Sequence, residues 1–312
     1  MAVHFGVNLP QISRTWDETI AAAKEFEALG FDSVWLNDHL FGVPRNEIPI
    51  QEAWTTLCAI GAVTERVELG TLVSPPSFRH PAVHAKAVAT LDQITKGRVI
   101  LGMGTGWNQA EFVGYGQEFL PIQGRLEQLE EAVQITKRAW LEPEVTFKGK
   151  RFWVDRLMIA PKPYRQPHPP ILIGGGGEKV TMRIAAQYAD IWNNSASRQS
   201  DLPRKVEVLH RHCQNVGRDP AEITVSQQCL VLISEDEAAA AAQLDRADKI
   251  FGGHLGDMHG PLAIAGTPDR VAAQIQKHLD LGCTHFVIEF FGRDTRGPAK
   301  LFSETVMPKF RA

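Results

Sequence analysis

Residues 78–111 read FRHPAVHAKAVATLDQITKGRVILGMGTGWNQAE. Pro81 suits a first helical turn, where its missing N–H would have had no intrahelical partner. Ala82, Val83, Val88, Leu91 and Ile94 then recur at helical spacing as an apolar face, and Gly97 ends the helix. Val99-Ile100-Leu101 is the short apolar run of a strand buried on both sides of a parallel sheet. Gly102, Gly104 and Gly106 alternate directly after it, so another group must come close to that backbone. Helix, buried strand and glycine loop in succession are one unit of an α/β fold.

The same alternation extends in both directions. Before the stretch, strands are expected at 3–9, 33–36 and 67–73, with helices at 17–29 and 52–65, and Gly70 is expected to bulge the third strand. After it, a helix fits 122–141. The period then breaks over 142–170, where a Lys148-Gly149-Lys150 turn and five prolines between 161 and 170 predict a hairpin inserted between units. Strands resume at 171–173, 191–194, 223–233 and 285–291, with helices at 178–188, 235–250, from Pro268, and 298–307. A glycine-rich second insertion, 251–267, carries His254 and His259. Eight strand-and-helix units over residues 1–312 predict one (β/α)8 TIM barrel domain with two insertions.

Composition narrows the function. The net charge of -3 comes without a basic stripe, which argues against nucleic acid as a partner. Cys58, Cys213, Cys229 and Cys283 are far apart, so neither a disulfide framework nor a metal site is expected. No membrane-length apolar run and no leader pattern are present, and a cytoplasmic protein is the expectation.

A barrel of this type places its chemistry on the loops after the strands. Those positions hold Asn8; Asn37, Asp38 and His39; Ser74; Thr105, Trp107 and Asn108; Gly174 to Gly177; Asn193, Asn194 and Ser195; and Glu289 and Arg293. A histidine beside a carboxylate can exchange protons near neutral pH, although a lone histidine at a strand end is more often a packing residue. Four successive glycines before a helix can admit a phosphate to their N–H groups, where a plain turn would be entropically wasteful. The G-M-G-T-G-W loop is a poor dinucleotide fingerprint, because no ribose-binding acid stands about twenty residues on.

The RHP element, the alanine-rich helix with TLD, the GR pair and the G-x-G-x-G loop, in this order, resemble the bacterial luciferase-like family of flavin and deazaflavin oxidoreductases. A second region of resemblance is PKPYRQPHPPILIGGGGEKVTMRIAAQYADIW at 161–192. The resemblance implies that Asp38 and His39 lie beside a cofactor ring, with His39 as proton acceptor. It also implies a non-proline cis peptide at Leu72-Val73 that makes Val73 the floor beneath the ring. Gly104, Thr105, Gly106 and Asn108 would then contact the cofactor, and Gly174, Gly175, Gly176, Gly177 and Ser195 its phosphate.

Trp107 and Phe41, with Trp35, Trp54 and Phe78 as further candidates, would line a substrate space, and Glu111 would anchor the glycine loop. The Asp-His pair and the glycine loop look most like the coenzyme F420 branch, which implies hydride transfer between deazaflavin C5 and a small or medium organic substrate. The alternative is a two-component monooxygenase using reduced FMN and oxygen, supplied by a separate reductase. A non-catalytic flavin-binding protein is the remoter alternative. A sugar-phosphate substrate is disfavoured, since no Lys/Arg cluster is evident. The family resemblance further implies a homodimer built on strands two and three and their helices.

Overall fold

The computed structural model describes residues 3–251 and 256–311. The strands β1 (His4–Asn8), β2 (Ser33–Leu36), β3 (Glu68–Thr71) and β4 (Val99–Met103) lie side by side in chain order, all parallel. Outside them β5 (Val145–Lys148) and β6 (Trp153–Leu157) form the antiparallel hairpin expected within the first insertion. The ring continues through β7 (Ile171–Gly174), β8 (Ile191–Asn194) and β9 (Thr224–Ile233). β10 (Ile264–Gly266) adds to the upper half of β9, and β11 (Cys283–Phe290) joins β9 to β1, closing eight parallel strands into a barrel. The expected TIM barrel is therefore present.

The helices are α1 (Trp16–Ala28), α2 (Ala53–Gly61), α3 (Pro81–Thr95), α4 (Gln109–Gly114), α5 (Ile122–Leu141), α6 (Thr181–Tyr188), α7 (Leu202–Val216), α8 (Glu237–Phe251), α9 (Pro268–Asp280) and α10 (Arg296–Thr305). Local chemistry sets several ends. Thr15 and Glu18 make a reciprocal capping box on α1. On α3, Pro81 starts the first turn, while Lys96 in the left-handed region and Gly97 at φ +91° end it. None of the described helices is long and apolar enough to cross a membrane.

Several expectations need correction. α4, α7 and β10 were not anticipated, because each is short or strongly polar on one side and gains its place by packing on the barrel. The helix expected from residue 178 starts at Thr181, after a turn. On α3, Ala85, Val88 and Leu91 are buried, but Val83 and Ile94 are 67% and 52% exposed. His254 lies outside the described residues, and His259 is exposed.

Gly70 makes no bulge. It pairs in regular register with Trp35 on one side and Ile100 on the other. A Cβ at Gly70 would lie 2.3 Å from the Trp35 ring, and one at Gly6 would lie 2.4 Å from its Nε1. The two glycines make the hole that the indole fills. Trp35 is wholly buried with Ile100, Leu172, Ile191 and Val287 in the barrel interior. Burying roughly 200 Å² of indole surface contributes on the order of 5 kcal/mol. Trp35 is thus core and not a wall of a substrate space. Beneath it His4 and His285 stack at 4.3 Å, tied to Ser33 and Ser226.

Candidate active site

The loop after β2 carries Asn37-Asp38-His39, and Gln11 holds it in place. The Gln11 amide accepts from Asn37 N at 3.0 Å and donates to Asn37 O and Gln51 O. Asp38 turns inward, its side chain fully buried. Arg79 of the RHP element donates to both of its oxygens, at 2.6 and 3.0 Å, and Ser74 Oγ donates to Oδ2 at 2.6 Å. Ser74 Oγ in turn accepts from the Trp54 indole at 2.9 Å. Arg79 also pairs with Glu52, the residue that caps α2. Asp38 is therefore enclosed by Arg79 and Ser74. It braces the loop that presents its neighbour.

His39 points the other way. Its Nδ1 lies 2.6 Å from Glu111 Oε1, so Nδ1 carries the proton donated to the carboxylate. Nε2 makes no hydrogen bond among the described residues. Glu111 is buried on α4, where Asn108 Nδ2 donates to the same Oε1 at 2.7 Å. Asn108 Oδ1 caps α4 through Ala110 N, so each end of this amide makes one bond within the chain. The Trp107 ring stands edge-on to the imidazole at 5.8 Å and is 62% exposed. Sequence reasoning assigned Glu111 to loop anchoring and missed its bond to His39. The signal was a carboxylate in the first turn after the glycine loop.

The Leu72-Val73 peptide, just before Ser74, is cis. Val73 stands at the crossing of three glycines. A Cβ at Gly104 would lie 2.4 Å from Val73 Cγ2, and one at Gly174 2.8 Å from Cγ1; at Gly102 it would meet Thr71 O at 1.8 Å. Their small size thus admits Val73 and the neighbouring strand, and needs no ligand to explain it. Gly106 has φ +70°, with the Phe112 ring 2.6 Å from a Cβ there, and Thr105 precedes it on the same loop. Phe41 packs on Tyr115 at 5.5 Å. Trp54 and Phe78 border a cleft of about 430 Å³ between α2, α3 and the loop after β2, shared with Leu40, Arg79 and Tyr115.

The loop after β7 differs from the one after β4. At Gly176 the nearest atom to an added Cβ is Lys205 Cε at 3.5 Å, so nothing in the chain demands glycine there. Gly175 needs it for its φ of +120°. Lys205 of α7 is 5% exposed and donates to Gly176 O and to Glu178 Oε1, and Arg204 pairs with Glu178 as well. This basic pair was invisible as a cluster in sequence, since its partner loop lies 27 residues earlier. Ser195 Oγ faces Ser197 Oγ at 3.3 Å. Across the mouth Asn8 donates to Glu289 Oε1 at 2.7 Å, and burial raises the Glu289 carboxyl above the usual range.

A family model described as luciferase-like monooxygenase matches residues 2–254. An F420-dependent glucose-6-phosphate dehydrogenase of Amycolatopsis mediterranei is 30% identical, over 95% of each chain. An F420-dependent hydroxymycolic acid dehydrogenase of Mycobacterium tuberculosis is 31% identical, over 76% of this chain and 65% of its own. Among solved structures, an F420-dependent secondary alcohol dehydrogenase bound to an F420-acetone adduct superposes with a TM-score of 0.85, covering 100% of both chains at 23% identity. That last likeness concerns the fold.

Proposed function

Because this chain belongs to the luciferase-like monooxygenase family, we propose that it is a coenzyme F420-dependent oxidoreductase acting on a small or medium organic substrate. The observation that carries this reading is the His39–Glu111 pair, in which Glu111 holds Nδ1 while Nε2 makes no hydrogen bond among the described residues. When bound, the deazaflavin donates or accepts a hydride at its C5.

The residues fit such a group. Val73 offers an apolar floor, and the loop from Gly174 to Gly177, with Gly176 open where a Cβ would stand, suits its phosphate. In this reading Thr105, Gly106 and Ser195 would contact the same group. His39 Nε2 takes or returns the substrate proton, and Glu111 fixes the tautomer and steadies the imidazolium. Trp107 screens the imidazole from water and, with Phe41, faces the substrate. Cofactor and substrate must meet at roughly 3–3.5 Å. Asp38, clamped by Arg79, keeps the His39 loop in register for that approach.

The test is titration of the cofactor-free chain with oxidised F420 and, separately, with FMN, followed by fluorescence and calorimetry. Tight binding of F420 alone agrees with the proposal. Binding of FMN alone overturns it in favour of a two-component monooxygenase. The same reading includes a cytoplasmic location, reduced cofactor supplied by a separate enzyme, and a homodimer through strands two and three and their helices, where Val83 and Ile94 of α3 are exposed. Light scattering at the mass of one chain would refute the dimer.

A further inference from the structure

Two successive carbonyls of the loop after β7 are held from behind. The Trp192 indole N–H donates to Gly175 O at 3.0 Å, and the Lys205 ammonium donates to Gly176 O at 2.5 Å. Both side chains are buried, Trp192 in β8 and Lys205 on α7. These peptides are trans, and in a trans peptide the carbonyl and the following N–H point in opposite directions. Fixing Gly175 O and Gly176 O therefore turns the Gly176 N–H away from the Trp192 indole and the Gly177 N–H away from the Lys205 ammonium. Gly175 N donates to Asn193 O at 3.2 Å, but neither Gly176 N nor Gly177 N donates to any group among the described residues.

Adjacent N–H groups of this kind, on a loop without side chains, form a concave donor pair for an anion. A lysine is an expensive residue to bury, because its ammonium is strongly hydrated. Here its lost water is replaced by the Gly176 carbonyl and the Glu178 carboxylate. The ammonium, paired with Glu178, thus remains directly behind the loop and holds its carbonyl.

We infer that Lys205 and Trp192 are positioning residues that aim the N–H groups of Gly176 and Gly177 at a phosphate ester of the bound ligand. The inference rests on the proposed cofactor reading only for where that phosphate comes from. Neither residue touches the reacting atoms.

Calorimetry with paired ligands separates this role from a merely structural one. F420 carries the phosphate tail, and its deazaflavin riboside lacks it; FMN and riboflavin form the equivalent flavin pair. Lys205→Met is expected to weaken the phosphate-bearing ligand by about tenfold to a hundredfold, and to leave the riboside unchanged. Lys205→Arg, which keeps a charged donor, is expected to restore most of the loss. Should Lys205→Met fail to fold, Trp192→Phe removes the other donor and is expected to act in the same direction.

Equal weakening of both members of a pair, or no weakening of either, overturns the inference. If the parent chain binds the riboside as tightly as F420, the anion site is refuted while the cofactor reading stands. If it binds none of the four ligands, both fail. If it prefers FMN and Lys205→Met selectively weakens FMN relative to riboflavin, the inference survives and the F420 reading falls.

Discussion

His39 and Glu111 are 72 residues apart in the chain, yet Nδ1 of one lies 2.6 Å from Oε1 of the other. The pair sets the tautomer of the imidazole, and Nε2 makes no hydrogen bond among the described residues. Removing the imidazole by His39→Ala should lower kcat by about 10²–10⁴-fold with cofactor affinity retained. Glu111→Gln should lower kcat less, since the amide oxygen still accepts from Nδ1. Stopped-flow turnover and cofactor titration on each variant check this. Loss of cofactor binding together with turnover in His39→Ala would instead assign the residue to binding.

Arg79 and Asp38 form a bidentate pair in which the carboxylate is fully buried. Arg79→Met leaves that charge without its main partner, which typically costs about 3–5 kcal/mol. Asp38→Asn in the same chain should recover part of the loss. Urea denaturation curves of the single and double variants measure it, and additive effects would show that the two side chains are not coupled.

Val73 occupies the space that Cβ atoms at Gly104 and Gly174 would need. Gly174→Ala should therefore destabilise by about 1–3 kcal/mol through overpacking. Val73→Ala removes the obstructing methyl groups, so the double variant should unfold at higher urea than Gly174→Ala alone. A double variant no more stable than the single would mean that the glycine is needed for another reason.

Acid should destabilise the fold through buried neutral histidines. Burial, with Arg79 nearby, pushes His84 down to about 3, and burial likewise lowers His4, His278 and His285. The unfolded chain binds these protons near pH 6.5 and the folded chain does not, so stability falls as pH drops below that value. For His84 the loss continues down to about pH 3. The slope is up to about 1.4 kcal/mol per pH unit for each histidine, and the carboxyls of Glu289 and Asp92, both raised by burial, oppose it. Urea midpoints from pH 7.5 to 4.5 test this, and a midpoint that does not move would rule it out.

Much of the architecture was legible in the chain itself. Short apolar runs, helical spacing and glycine or proline punctuation act over a few residues, so the order of the eight barrel strands and the α5 span could be read directly. The same local signals located both glycine loops and put His39 at a strand end. Barrel closure decided the rest. It brought Glu111 to His39, Arg79 to Asp38, Lys205 to Gly176 and the Trp35 indole into the hole left by Gly6 and Gly70. Each of those partners lies in a different strand-and-helix unit, and only the register of strands around the ring sets which side chains converge. A linear pattern records how each unit folds; the close contacts between units belong to the assembled barrel.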